Sequence, residues 1–147
     1  MILISHRGNI NGPNLLRENS PYYIIEAINK GYDAEIDIWI VNDIFYLGHD
    51  KPQYIISIDW ITERKDKLWI HCKNIKAIEW FNITVNMYNY FWHQDDNVTL
   101  TSKNFIWAYP GKQPIENSIA VLPELNDDNI SKCLGICSDY IETYTKL

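Results

Sequence analysis

The sequence is poor in residues that break or cross-link a chain. Its 147 residues include six glycines, six prolines and three cysteines. No segment is rich in Gly, Ser or Pro and no period repeats, which excludes collagen-like, low-complexity and repeat proteins. The cysteines are odd in number and form no CxxC pair, so the sequence favours reduced thiols in a cytoplasmic protein.

Basic residues and long apolar runs are also scarce. Lys and Arg number 13 against 19 Asp and Glu, giving a net charge of −6, and the longest basic run is Arg64-Lys65. Such a chain attracts neither a phosphate backbone nor an anionic membrane, so we expect no nucleic-acid partner. The N-terminal apolar run ends at His6, which is too early for a signal peptide or a membrane span.

What the sequence does contain is a series of short apolar runs that end abruptly in polar residues. A hydrophobic content of 46% and a length of 147 residues indicate a single domain, residues 1–147, with its own core. The runs are typical of buried strands and cover residues 2–5, 34–40, 44–47, 68–70, 88–92, 105–108, 119–122 and 134–137. Helical spacing and caps predict helices over residues 21–29, 58–65, 75–85 and 127–133.

Strands that alternate with helices predict a mostly parallel α/β sheet. The interval from Thr101 to Phe105 is too short for a parallel crossover. Either residues 105–108 fold back as a hairpin, or one strand has lost its covering helix. A complete (β/α)₈ barrel needs about 250 residues, so a barrel of this length would lack several helices.

Several polar residues stand where strands are predicted to end. His6, His71 and His93 each lie at the end of an apolar run or one residue beyond it, where ligands bind in α/β folds. Glu35 and Asp37 are one residue apart in a predicted strand, so both side chains share one face. Mg²⁺ or Ca²⁺ would relieve their repulsion; a solvated strand face is the alternative.

Other side chains suit a phosphate group. Lys73 shares a face with His71, and Arg7 precedes a glycine that lets the backbone approach closely. A guanidinium binds two phosphate oxygens at once. His49 follows Gly48 and supplies a further imidazole. Two histidines that flank a phosphate can divide proton removal from proton donation.

Five short elements together resemble the glycerophosphodiester phosphodiesterase family. They occur in order as His6-Arg7-Gly8, Glu18-Asn19-Ser20, residues 27–31, Glu35-Ile36-Asp37 and Gly48-His49-Asp50. The wider superfamily includes phosphatidylinositol-specific phospholipase C and the sphingomyelinase D toxins. The resemblance implies a (β/α)₈ TIM-type barrel, here unusually short, with several helices shortened or missing.

The resemblance also implies roles for individual residues. His6 and His49 would be the acid/base pair, and Arg7 would hold the phosphate. Glu35 and Asp37 would bind a divalent metal, Mg²⁺ or Ca²⁺.

The remaining implied roles include one departure from the family. Glu18 would orient the first loop or approach the metal, and Lys73 matches the family's lysine. Where the family has an acidic metal ligand, this sequence has His71. An imidazole ligand favours Zn²⁺ or Mn²⁺ over Ca²⁺. His71 could equally mark a weakened or absent metal site.

The expected function is therefore metal-assisted cleavage of a small polar phosphodiester, such as a glycerophosphodiester of lipid metabolism, by a hydrolase or a cyclising enzyme. The alternatives are a non-catalytic phosphate- or polyol-phosphate-binding module and a structural, partner-binding domain. Exposed apolar strand faces would make a homo-oligomer plausible. The segment Phe91–Asp96 has no family counterpart, and Trp92, Trp107 and Tyr109 are candidates for an aromatic wall against a sugar or glycerol, or for core filling.

Overall fold

The computed structural model describes residues 1–146 and shows ten strands and three α-helices. The strands are β1 (Ile2–His6), β2 (Asp33–Val41), β3 (Ile44–Leu47), β4 (Tyr54–Ile56), β5 (Leu68–Cys72), β6 (Asn89–Phe91), β7 (Val98–Leu100), β8 (Ile106–Ala108), β9 (Ser118–Val121) and β10 (Gly135–Ser138). The helices are α1 (Pro21–Asn29), α2 (Ile58–Thr62) and α3 (Ile75–Ile83). Two 3₁₀ helices cover Pro123–Leu125 and Ile141–Lys146.

All ten strands belong to one mixed sheet, which curls into a half-barrel. The strands β6, β5, β2, β1, β10, β9 and β8 lie side by side in this order and run parallel. The antiparallel strands β3 and β4 extend from β2, and β7 pairs antiparallel with β8. Because β1 lies between β2 and β10, the first and the last strand pair with each other at the middle of the sheet.

The prediction of a reduced (β/α)₈ barrel is wrong. The sheet is a mixed half-barrel, and few helices accompany it. Beyond α3, the only helices up to residue 146 are the two 3₁₀ helices. Pro110, Gly111 and Pro114 fall in the connection after β8, where they disfavour an α-helix, and Pro123 begins a short 3₁₀ helix after β9. The alternative of a hairpin at residues 105–108 is confirmed, because β8 folds back on β7.

The three α-helices begin at side-chain caps. Ser20 accepts a hydrogen bond from the Tyr23 N–H before α1, and Ser57 accepts one from the Trp60 N–H before α2. Asn74 caps α3 by accepting from the Ala77 N–H. These caps satisfy backbone donors that have no partner within the helix. They explain why the predicted helix starts at residues 21, 58 and 75 agree with the structure.

The predicted helix over residues 127–133 is absent. Asp127 has a positive φ of 49°, which ends the preceding turn. The Asn129 side chain accepts a hydrogen bond from the Ser131 N–H, and Asp128 accepts one from the Gly111 N–H. Asn129 binds the backbone locally, whereas Asp128 binds the loop after β8, and both bonds compete with helix formation.

The two faces of the sheet bury different residues because side chains alternate along each strand. On the outer face, Ile36, Ile38 and Ile70 pack with Phe81 of α3 in one apolar cluster. On the inner face, a second cluster fills the bottom of the curl, and it consists of Ile4, Trp69, Phe91, Trp107, Ile119, Val121 and Cys137. The polar residues at the strand ends lie above this second cluster.

The open side of the curl lies between β6 and the β7–β8 hairpin, whose outer strand is β7. Ser102, in the turn after β7, donates its N–H to the Tyr90 carbonyl at 2.8 Å. Its hydroxyl donates to the Tyr88 carbonyl and accepts from the Tyr90 N–H, both at 3.0 Å. One turn residue therefore ties β6 to the β7–β8 hairpin. No helix within residues 1–146 combines the length and apolar character needed to cross a membrane.

Candidate active site

A cavity of about 350 Å³ opens at the carboxyl ends of the inner strands. The structure brings six of the predicted site residues to its wall, namely His6, Arg7, Glu35, His49, His71 and Lys73. Asp37 is fully buried and contacts three of them, Arg7, His71 and Lys73. Glu18 lies on the far side of Arg7, in a second cavity.

His6 ends β1 and is held by a residue that follows the neighbouring strand β10. The His6 Nδ1 atom lies 2.7 Å from Oδ1 of Asp139, which also accepts a hydrogen bond from Asn9 Nδ2 at 2.8 Å. Burial lowers the pKa of His6, but the Asp139 hydrogen bond and the Glu35 charge outweigh it and raise that pKa above its usual value. The sequence analysis missed Asp139 and Asn9 as site residues. Asp139 follows an apolar run just as the predicted histidines do.

Arg7 turns back towards β2 because its backbone is left-handed, with φ 52°. Its Nε atom lies 3.1 Å from Asp37 Oδ2, and its Nη1 atom donates to Glu18 Oε2 at 3.3 Å. Glu18 also accepts a hydrogen bond from Asn9. Glu18 therefore orients the Arg7 guanidinium and links it to Asn9 of the first loop.

Asn19 is a buried residue whose contacts the sequence analysis missed. Its Nδ2 atom donates to Asp37 Oδ2 at 2.9 Å, and its Oδ1 atom accepts the Asp37 backbone N–H at 2.9 Å. The pair links the loop after β1 to the middle of β2. The sequence signal for Asn19 was its place in the family-like element Glu18-Asn19-Ser20.

Glu35, Asp37 and His71 form a group of three potential metal ligands. Strands β2 and β5 are parallel with Asp37 opposite His71, so all three side chains share the inner face. His71 Nδ1 lies 3.1 Å from Asp37 Oδ1 and 3.9 Å from Glu35 Oε1, and the three ligand atoms all lie within 4.8 Å of one another.

The two carboxylates differ in their electrostatic surroundings. Burial and the Asp37 charge raise the pKa of Glu35 above its usual value. Burial would also raise the pKa of Asp37, but His71, Arg7 and Lys73 hold it well below its usual range. Asp37 is therefore the more firmly ionised of the two.

The proton positions on His71 follow from its two neighbours. Its Nε2 atom lies 3.2 Å from the His93 carbonyl oxygen, which can only accept, so Nε2 carries a hydrogen. The Nδ1 atom then faces the two carboxylates with its lone pair, and a metal ion between the three groups would remove their repulsion. A backbone carbonyl that holds the second nitrogen is the usual support of a metal-bound histidine.

The donor set fits a divalent cation. Asp37 Oδ1 is buried and makes no hydrogen bond, because its contact with His71 Nδ1 is not aligned for one. Two carboxylate oxygens and one imidazole nitrogen favour Mn²⁺ or Zn²⁺ more than an all-oxygen site would. The metal itself remains a proposal.

Lys73 places a second cation beside Asp37. It follows β5, and its backbone N–H donates to the Ile38 carbonyl at 2.8 Å. Its Nζ atom lies 3.5 Å from Asp37 Oδ1, whereas Arg7 approaches Oδ2. The two cations therefore flank the carboxylate and line the cavity.

His49 lies on a loop that β2 holds in place. The Trp39 indole donates to the Gly48 carbonyl at 2.7 Å, and the Gly48 N–H donates to the Asp37 carbonyl at 3.1 Å. His49 Nδ1 lies 2.8 Å from Asp50 Oδ1, and its side chain is 41% exposed. Partial burial and the charge of Arg7 lower the pKa of His49.

The opposite wall of the cavity is aromatic. Trp107 and Tyr109 line it, although Trp107 also belongs to the inner core cluster. Trp92 does not line it and packs against the outer core cluster. His93, one residue later, points inwards and stacks on Tyr109 with ring centroids 3.4 Å apart. Burial, together with the charge of His71, lowers the pKa of His93 to about 4.

Comparison with protein-family models, with curated proteins and with solved structures finds no match for this chain. The family resemblance therefore rests on the residues quoted above, and the function has to be argued from the geometry of the site.

Proposed function

We propose that this protein is a metal-assisted phosphodiesterase that cleaves a small polar phosphodiester, such as a glycerophosphodiester. The observation that carries the proposal is the convergence of a metal-ligand group with two cations and two histidines on one cavity. The resemblance of five short sequence elements to the glycerophosphodiester phosphodiesterase family supports the same function.

The charged residues would stabilise the reacting phosphate. A divalent cation at Glu35, Asp37 and His71 would neutralise phosphoryl oxygens and lower the pKa of a hydroxyl or water. Arg7 and Lys73 flank Asp37 and reach the cavity, so they would bind the oxygens on which negative charge grows.

The two histidines are prepared for proton transfer in the same way. Each has its Nδ1 atom on an aspartate, Asp139 for His6 and Asp50 for His49. An acceptor at Nδ1 keeps the proton on that atom, so Nε2 is the atom that exchanges a proton with substrate. One Nε2 takes the proton of the attacking hydroxyl as the new P–O bond forms. The other protonates the leaving oxygen as the old bond breaks.

The direct test is an assay of chelator-treated full-length protein on a phosphodiester panel with Mg²⁺, Ca²⁺, Mn²⁺ or Zn²⁺ added back. We expect turnover that depends on the metal. His6→Asn and His49→Asn should each lower kcat by about 10²–10⁴, the usual contribution of a positioned acid or base. Unchanged melting temperature and metal content would show that both variants are intact. A metal-loaded wild type inert on every diester would refute the proposal.

A non-catalytic phosphate-binding module is the second candidate. One observation favours it: His71 stands where the resembled family has an acidic metal ligand. Arg7 and Lys73 would then hold phosphate without a metal. Calorimetry that shows phosphate binding by chelator-treated protein without any turnover would support this candidate. The convergence of the polar strand ends argues against a purely structural domain.

A further inference from the structure

A second cavity, of about 240 Å³, lies beside the first. Arg7 and His49 line both cavities, so the two spaces meet at these residues. The rest of its wall comes from the loops after β1 and β3, and consists of Leu15, Glu18, Asn19, Asp50, Lys51 and Gln53.

The two cavities differ in chemistry. Beyond its polar residues, the first is walled by Phe91, Trp107, Tyr109, Pro110, Val121 and Leu122. The second has one apolar residue, Leu15, among charged and amide side chains. An apolar wall suits a group with an apolar face, whereas amides and charges suit hydroxyl groups.

The walls of the second cavity are held by hydrogen bonds. Arg7 and Asn9 fix Glu18, and Asp37 fixes Asn19. On the other side, Trp39 holds Gly48, and the Gln53 N–H donates to the Leu47 carbonyl at 3.0 Å. Hydrogen bonds therefore fix both the side chains and the backbone that form this cavity.

A phosphodiester carries two alcohols on one phosphorus atom. The four oxygens around phosphorus are arranged tetrahedrally. A phosphate held through its free oxygens by Arg7 and His49 would therefore direct its two ester groups away from these residues.

Building on the proposed function, we propose that the substrate spans both cavities, with its phosphate where they meet. The alcohol with an apolar face lies against the aromatic wall of the first cavity. A small polyhydroxy alcohol occupies the second cavity. The second cavity has room for such a group. At about 30 Å³ per water it equals roughly eight waters, which is more than the number of heavy atoms in glycerol. The protein would then select unsymmetrical diesters and bind them in one orientation.

Replacing one glutamine by tryptophan in each cavity in turn tests this proposal. Gln53 lines only the second cavity and Gln94 only the first, and both are exposed. Gln53→Trp and Gln94→Trp therefore fill one cavity each. The substrates are two diesters with the same aromatic alcohol, one carrying glycerol and the other methanol as the second alcohol.

We expect Gln53→Trp to lower the ratio of kcat/KM for the glycerol diester over the methyl diester about tenfold. Gln94→Trp should lower kcat/KM for both diesters and leave their ratio unchanged. Calorimetry should show that inorganic phosphate binds both variants, because it needs only the point where the cavities meet. If Gln53→Trp leaves the ratio unchanged, the inference fails while the phosphodiesterase assignment stands.

If the wild type turns over neither diester, the proposed function fails separately, and the comparison is made on diester binding measured by calorimetry. A Gln53→Trp variant that loses about tenfold in affinity for the glycerol diester alone would still support the two-cavity arrangement. Equal losses for both diesters, or no binding of either, would overturn it.

Discussion

At the scale of single residues, His71 is the side chain that would set the metal preference of the proposed site. It stands opposite Asp37 across the β2–β5 pair, with its other nitrogen on the His93 carbonyl. Period-2 spacing predicted that Glu35 and Asp37 share a face. It also predicted that His71 and Lys73 do, but only the parallel register of β2 and β5 places the two pairs against each other.

Replacing His71 by aspartate should change the metal preference. An all-oxygen donor set favours Mg²⁺ and Ca²⁺, so we expect His71→Asp to bind Mg²⁺ at least tenfold more tightly and Zn²⁺ more weakly than the wild type. Calorimetry on chelator-treated protein measures both affinities. His93→Asp adds the same charge to the cavity wall and serves as the control. Equal gains in both variants would place His71 outside the metal site.

Residues that only support others were hard to find in the sequence. Asn9, Asn19 and Asp139 each bind a charged or titratable site residue through a polar side chain. Asparagine is common in turns, where its usual role is local. The contacts that matter here join residues up to 133 positions apart, so the local sequence does not indicate which residues these side chains bind.

At the scale of elements, caps and turn residues explain why three of the predicted helices form and why the fourth does not. Ser20, Ser57 and Asn74 start the three α-helices, and each is visible in the sequence. The helix predicted over residues 127–133 failed because its short polar side chains bind backbone groups of its own turn and of the loop after β8. The two missed strands, β4 and β7, are three residues long and pair only in antiparallel hairpins.

The loop that carries His49 depends on Gly48. Its φ is 152°, and an added Cβ would collide with the Lys51 carbonyl and lie 3.0 Å from the Gln53 Cβ. We expect Gly48→Ala to destabilise the fold by more than about 1 kcal/mol in denaturant unfolding and to lower turnover by displacing His49. Gly31→Ala is the control, because Gly31 also has a positive φ of 97° but no atom within 4 Å of its added Cβ. Equal losses in the two variants would mean that crowding at Gly48 is unimportant.

At the scale of the whole molecule, the curled sheet assembles the site. Strands β1, β2, β5 and the loop after β3 supply its charged half, and β6, β8 and β9 supply its aromatic half. These halves face each other because the sheet curls, although β6 and β8 share no ladder within the described residues. Trp107 contacts both Trp69 of β5 and Phe91 of β6 across this opening.

Ser102 is expected to stabilise the curl across its open side. Ser102→Ala removes a donor to the Tyr88 carbonyl and leaves the Tyr90 N–H without its acceptor, which should cost about 1–2 kcal/mol of unfolding free energy. Hydrogen exchange should show faster exchange in β6 than in β1. The exposed Ser131, whose hydroxyl makes no hydrogen bond within residues 1–146, gives the control Ser131→Ala. If the loss of unfolding free energy is no larger than in Ser131→Ala, the aromatic contacts alone hold the two edges of the curl together.

Local patterns in the sequence were sufficient to locate the main strands, the starts of the three α-helices and the residues that gather at the cavity. These features depend on side-chain alternation, capping and strand ends, which operate over a few residues. Only the tertiary structure decided that the sheet is a mixed half-barrel, that Asp139 holds His6, and that His93 rather than Trp92 faces the cavity. These outcomes depend on strand order and on which face of each strand is covered. Contacts between distant parts of the chain determine both.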